Sequence, residues 1–180
     1  AELFRDDLGT SGAVAVANLH VRRRAGAALP SDSAEAVTRS LLAALAATHR
    51  GEMVRVQLVL GGRQRPQEPD PPVGTTTTGR RQAEAAQREH GFWSSLRISA
   101  AAPRLERARG LVLAISAALR GLETPQVRLQ VWRSTVRALV EARPPWLVAN
   151  VLRPAEIPGL LGWPLCEGLP GLAPQHPRML

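Results

Sequence analysis

The chain has 180 residues and a formal net charge of +8, and all 23 of its basic side chains are arginines because it contains no lysine. This length allows one domain with a sizeable core, and no apolar run is long enough to span a bilayer. The single cysteine, Cys166, has no cysteine partner for an internal disulfide or a metal site. The chain begins with Ala1 and has no signal-peptide pattern, so we expect it to be part of a longer polypeptide.

The excess of arginine has two explanations. A composition high in Ala, Arg, Gly and Pro without Lys or Tyr is typical of a very GC-rich genome. A basic chain also suits an anionic partner, above all nucleic acid. The composition alone leaves both explanations open.

The first half of the chain predicts a strand, a helix and a second strand. Residues 13–22 are the first strand, and residues 34–49 form the helix, with N-cap oxygens from residues 31–33. Residues 53–60 alternate between apolar and polar side chains, which predicts the second strand. Residues 61–79 are rich in proline and threonine and predict a flexible linker, and residues 80–90 predict a polar helix.

The second half repeats this order. Residues 92–99 alternate as a strand, a helix runs from Pro103 to Gly121, and residues 127–133 alternate again. Two such halves predict an α+β fold of the ferredoxin-like, split βαβ type: a four-stranded antiparallel sheet with its helices on one face. We assign residues 1–133 to this domain, with a flexible insertion at 61–79. Residues 134–180 are assigned to an irregular Pro/Gly-rich C-terminal extension and connector, with a short helix predicted at 134–143, a final strand at the apolar run 146–152 and a short helix at 154–161.

The sequence offers no catalytic constellation. A P-loop requires a lysine, which this chain lacks, and the four histidines are scattered without metal-ligand spacing. No Gly-x-Ser-x-Gly elbow is present. We therefore predict a protein that is not an enzyme, with no cofactor, no metal and no small-molecule substrate.

One surface of the predicted sheet carries arginine interleaved with tryptophan. If the apolar alternates of each strand face the helices, the remaining alternates share the open face. The predicted interaction face comprises His20, Arg22, Arg55, Gln57, Trp93, Arg97, Arg128, Gln130 and Trp132.

This face has two interpretations. Arginines for phosphates and rings for base stacking suit a single-stranded nucleic-acid platform, although the aromatic signature of the RNA-recognition motif is absent. Tryptophan and arginine are also frequent at protein interfaces, so a neighbouring domain or subunit could cover the face. We favour the protein interface. The run Arg22, Arg23 and Arg24 is either a solvated strand end or a phosphate contact, and we favour the former.

Three segments together resemble a known family. The first is residues 41–61 followed by the basic Pro-rich linker, and the second is residues 95–125. The third is residues 152–172, which include Leu-Gly-Trp-Pro-Leu at 161–165. In this order they are similar to the region ahead of the ATPase domain in actinobacterial type IV secretion, or conjugative DNA-transfer, ATPases of the coupling-protein class and their relatives.

The resemblance implies a non-catalytic N-terminal accessory domain that acts in motor assembly or substrate contact. The implied partners are the ATPase motor domain or other secretion-system subunits, together with single-stranded DNA. It also implies oligomerisation through the motor and a cytoplasmic location, at the inner face of the membrane within a complex. The alternative is a ferredoxin-like module that binds single-stranded nucleic acid directly.

Overall fold

The computed structural model describes residues 12–24, 27–30, 32–65, 89–142, 150–157 and 160. In chain order the elements are β1 (Ala13–Arg23), α1 (Ala34–Ala46), β2 (Met53–Gln64), β3 (Gly91–Ala102), α2 (Leu105–Leu119), β4 (Val127–Arg133), α3 (Val136–Val140) and β5 (Asn150–Leu152). Two 3-10 turns, Arg120–Leu122 and Pro154–Glu156, follow α2 and β5. None of the helices in these ranges has the length and apolar character needed to cross a membrane.

The sheet has the strand order β2-β3-β1-β4, and every neighbouring pair is antiparallel. With α1 between β1 and β2, and α2 between β3 and β4, this is the ferredoxin-like α+β architecture that the sequence predicts. The short β5 is an addition to that plan and pairs with the first residues of β3, Phe92 to Ser94.

The core lies between the sheet and the two long helices. Alternate residues of the central strands, such as Leu19 and Ile98, are fully buried against this layer. From α2, Ile115 and Leu119 pack into the same cluster, and α1 contributes Val37. Because side chains alternate across a strand, the intervening residues face the opposite side of the sheet, which is the face predicted to interact.

Two polar anchors fix elements that are distant in sequence. Arg107 on α2 holds Glu52 before β2, with Nε donating to Oε1 at 2.7 Å and Nη2 donating to Oε2 at 2.8 Å. These bonds, together with the N–H of His49, lower the pKa of Glu52 to about 2. At the other end, the Asn150 amide accepts from the Val21 N–H at 2.8 Å and donates to the Leu19 carbonyl at 2.9 Å. Asn150 thus binds β1 at Leu19, the last residue paired with β3, and at Val21 beyond it.

Several boundaries differ from the sequence predictions. β2 continues to Gln64, past residue 60, through an irregular register between Leu60 and Arg63 that absorbs the two glycines. α1 ends at Ala46, and the Ser33 side chain makes no capping hydrogen bond to the described residues. The remainder of the linker and the helix predicted at residues 80–90 lie almost entirely outside the described residues.

The predicted C-terminal extension contributes to the domain itself. Leu152 and Leu160 are buried in the main core, and Glu156 is also buried. The short apolar run before Pro154 adds a strand to the sheet, which a plan of two βαβ halves does not anticipate. The rest of the extension, residues 143–149, 158–159 and 161–180, lies outside the described ranges.

Candidate nucleic-acid interface

The strand register determines which predicted face residues are neighbours. Across β1 and β4, Arg22 lies opposite Arg128 and His20 lies opposite Gln130. Across β2 and β3, Gln57 lies opposite Arg97. Trp93 lies opposite Val151 of β5, at a third place on the sheet. The residues predicted as one surface thus fall into three parts, of which the first two adjoin at Asn18, the partner of both Arg97 and Trp132.

α3 packs on this side of the sheet against β1 and reaches β2 through its Leu139 carbonyl. Leu139 of α3 is fully buried although it lies outside the main core, and its carbonyl accepts a hydrogen bond from Gln57 Nε2 at 3.3 Å. Arg97 is only 3% exposed, and its Nη1 lies 3.5 Å from Gln57 Oε1. Burial lowers the pKa of Arg97. Arg97 is therefore a buried structural residue and not part of an open surface, while Arg55 and Gln57 are half-buried.

The short helix α3 follows β4 directly. Thr135 accepts from the Ala138 N–H at 3.2 Å through its side-chain hydroxyl, which caps the helix at its N-terminus. The helix begins at Val136, three residues after the end of β4, and its Leu139 is fully buried. The sequence predicted a short helix here but gave no sign of the face that it covers.

The part over β1 and β4 keeps Arg22, Arg128 and Trp132 exposed and carries an aromatic pair. The rings of His20 and Trp132 have centroids 5.4 Å apart and are tilted by 46°. Trp132 remains 43% exposed. Burial lowers the pKa of His20, the nearby Asn150 side chain raises it, and the charge of Arg22 lowers it further. The lowered pKa favours a neutral imidazole at pH 7, which stacks as an uncharged ring.

Beside this pair lies a basic cleft of about 330 Å³. It is lined by Arg22, Arg23, Arg24, Pro125, Gln126, Arg128 and Gln130. Four of these seven residues are arginines, and none is acidic. A hydrogen bond of 2.9 Å from the Arg24 N–H to the Gln126 carbonyl holds the end of β1 against the turn that precedes β4. Such a concentration of one charge attracts anions.

The three consecutive arginines have different roles. Arg23 turns away to a carboxylate, with Nη2 donating to Glu156 Oε2 at 2.9 Å and Nη1 donating to the Ala27 carbonyl at 3.0 Å. Arg22 and Arg24 are exposed at the cleft. Arg128 lies 3.5 Å from Glu123 in an exposed ion pair, which contributes little. Only the outer two arginines of the run are thus placed to meet an anion.

Trp93 forms the third part. It is 40% exposed, and Val151, directly opposite on β5, is 45% exposed. Sequence reasoning missed Val151 because β5 is too short to show alternation. It also missed Gln126, which lies in a turn and reaches the cleft only through the fold, whereas Arg24 was visible as part of the arginine run.

The described residues contain no group of three or more His, Cys, Asp or Glu side chains that could hold a metal ion. Comparison with protein-family models, with curated proteins and with solved structures gave no match for this chain. The interpretation of the site therefore depends on its geometry and charge.

Proposed function

We propose that this chain is a non-catalytic binding domain that contacts single-stranded nucleic acid through the surface of β1 and β4. The observation that carries the proposal is the placement of Arg22 directly opposite Arg128 on an open cleft. Like charges directly opposite each other on neighbouring strands destabilise a sheet. An anionic ligand that binds between them offsets this cost.

The surface combines the two elements that a single strand requires. Arg22, Arg24 and Arg128 supply charge for phosphates at one end. Four residues along β4 from Arg128, roughly 13 Å at the rise of a strand, Trp132 supplies a ring for a base. Gln130, between them, offers an amide to base edges or sugar. An unpaired base is needed for stacking on an open ring, so a single strand fits this surface better than a duplex.

This function agrees with the resemblance to conjugative DNA-transfer ATPases. In such a protein the domain would contact the transported strand, while hydrolysis would belong to a separate motor domain. The affinity expected of such a surface is moderate and depends on salt, because it comes mainly from phosphate contacts. A contact of this kind allows a strand to move across the domain.

A second candidate function is docking of the motor or of another secretion subunit. Trp93 and Val151 support it, because they form an exposed apolar pair at a distance from the basic cleft. Tryptophan is enriched among the residues that dominate binding energy at protein interfaces. In this function Trp93→Ala would weaken assembly with the partner and leave nucleic-acid affinity unchanged.

The test is a fluorescence anisotropy titration with a labelled oligo-dT at two salt concentrations. Trp132→Ala should cost about 1–3 kcal/mol of binding, the range for one lost base stack. The double variant Arg22→Gln, Arg128→Gln should reduce the slope of log K against log salt by about 1.4, the value for two lost contacts to a single strand.

The matched controls are Trp93→Ala, whose indole has nearly the same exposure, and Arg120→Gln, an exposed arginine after α2. Both should bind like the wild type. Weak binding that is equally insensitive to the Trp132 and double-arginine changes would mean only diffuse arginine charge, and the proposal would be rejected. Equal losses in Trp93→Ala and Trp132→Ala would contradict a site confined to β1 and β4.

A further inference from the structure

β1 extends beyond the end of β4, so its first residues have no neighbouring strand on that side among the described residues. β4 pairs with β1 only over Ala17–Arg23, and no strand of the described residues pairs with residues 13–16 on that side. The last hydrogen bond runs from the Ser134 N–H to the Val16 carbonyl at 3.2 Å, after which the chain turns into α3. A groove of about 460 Å³ occupies the place where β4 would have continued.

The backbone of β1 presents hydrogen-bonding groups to this groove. In a strand, the N–H and C=O groups of alternate residues point to opposite neighbours. Leu19 and Val21 point toward Asn150 on the β3 side, whereas Val16 points toward Ser134 on the β4 side. The Val14 N–H and C=O and the Val16 N–H therefore face the groove. Within the described ranges, no residue of another strand is paired with them there.

The walls of the groove are apolar and its margin is basic. Leu105, Val112 and Leu113 of α2 form one wall, and Leu113 is 61% exposed. Arg109 and Arg133 flank the groove, both are exposed, and no acidic side chain lines it. A ligand that fits must offer backbone, apolar and anionic groups together.

We propose that this groove binds an extended acidic segment of a partner protein as an added strand in line with β4. Residues 13–16 offer roughly 13 Å of edge, which is enough for a short strand. Main-chain hydrogen bonds would give affinity, and alternate side chains would give specificity: apolar ones against α2 and carboxylates on Arg109 and Arg133. A second copy of this chain fits poorly, because it would bring a second set of these arginines and a further charge of +8 to the same place.

The test uses a fluorescein-labelled peptide with blocked ends, Asp-Val-Glu-Val-Asp-Val-Glu, in an anisotropy titration. The first variant is Val14→Pro. It removes a donor that points at the groove and costs no hydrogen bond to β3, and proline is tolerated at such an edge. The second is the double charge reversal Arg109→Glu, Arg133→Glu, with Arg120→Glu, an exposed arginine in the 3-10 turn after α2, as the control. A peptide with lysine at each acidic position controls for charge, and thermal melting confirms that each variant is folded.

The proposal would be supported if the peptide binds saturably to the wild type and to Arg120→Glu. Its affinity should be at least about tenfold weaker for Val14→Pro and for the double reversal. A switch of preference to the lysine peptide in the double reversal would support it further. Absence of binding, or equal binding by Val14→Pro, would overturn it. A concentration-dependent dimer that Val14→Pro abolishes would also overturn it, because a second copy would then occupy the groove. The experiment contains no nucleic acid, so its result is separate from that of the proposed function.

Discussion

Arg23 and Glu156 form a two-point ion pair that joins the end of β1 to the turn after β5. Glu156 is 3% exposed and also accepts the N–H groups of Leu29 and Arg153, each at 2.9 Å. Burial alone would raise the pKa of this carboxylate, but the bonds from Arg23 and from the two backbone N–H groups together lower it. A buried charge with all its partners in place is costly to disturb.

We predict that Glu156→Ala lowers the free energy of unfolding by about 3–5 kcal/mol, since it leaves the Arg23 charge without its partner in a buried site. Urea denaturation followed by circular dichroism measures this change. Glu35→Ala is the control, because its ion pair with Arg39 is exposed and is worth at most about 1 kcal/mol. Similar losses in the two variants would contradict a structural role for the Arg23–Glu156 pair.

Acid should destabilise the domain through Glu52. Its pKa is about 2 in the folded chain and 4.5 without the fold, so between these values the unfolded chain binds more protons. Stability contributed by this carboxylate is therefore present above pH 4.5 and is lost as the pH falls toward 2. Glu156 acts in the same direction. Unfolding free energies measured at several pH values in this window should fall less steeply for Glu52→Gln than for the wild type. An unchanged slope would refute the assignment.

The free energy of unfolding should depend on both the oxygen and the nitrogen of the Asn150 amide. Asn150→Ala removes the acceptor of the Val21 N–H and the amide donor to the Leu19 carbonyl, and a buried group left unsatisfied costs about 1–3 kcal/mol. Asn150→Asp keeps an acceptor for the Val21 N–H and loses only the donor. Chemical denaturation should rank the wild type above Asn150→Asp and that variant above Asn150→Ala. A fully stable Asn150→Ala would show that water replaces both bonds.

Because Arg22 lies opposite Arg128, we predict that replacing Arg22 changes the stability of the fold and the binding of an oligonucleotide in opposite directions. Arg22→Glu replaces a like-charge pair with an opposite-charge pair across β1 and β4, which should stabilise the fold by about 0.2–1 kcal/mol. The same change should weaken oligonucleotide binding and make it less sensitive to salt. Melting temperature and anisotropy on the same samples test both effects. If Arg22→Glu binds as tightly as the wild type, the cleft is not a phosphate site.

The alternation of apolar side chains was sufficient to predict the ferredoxin-like sheet. Val54 and Val56, or Leu129 and Val131, show a period of two that only a half-buried strand requires. The ends of elements were less predictable, because β2 extends through Gly61 and Gly62, residues that signal a turn in most sequences. A final strand was predicted at 146–152 from its apolar run, but nothing in the sequence indicates that Asn150–Leu152 pairs with β3.

The candidate site was predictable only where it depends on the alternation of side chains between the two faces of a strand. The alternation placed His20, Arg22, Arg128 and Trp132 on one face; the register pairs Arg22 with Arg128, and the rings of His20 and Trp132 are in contact. The alternation could not show that Arg97 is buried, because the covering of a sheet face depends on tertiary packing rather than on the sequence of the strand. For the same reason the groove beside Val14 could not be foreseen, since it arises from a difference in the lengths of two strands.

The connections of β1 also bear on the order in which the chain folds. Asn150 bonds to Val21 across 129 positions, and Glu156 bonds to Arg23 across 133. During synthesis the first strand therefore leaves the ribosome long before the groups that complete its far end. Contacts of such large sequence separation slow folding and leave edges exposed in the meantime. The nascent chain thus passes through a stage in which β1 has been synthesised but lacks its bonds to Asn150 and Glu156, and that stage ends only when residues 150–156 have been added.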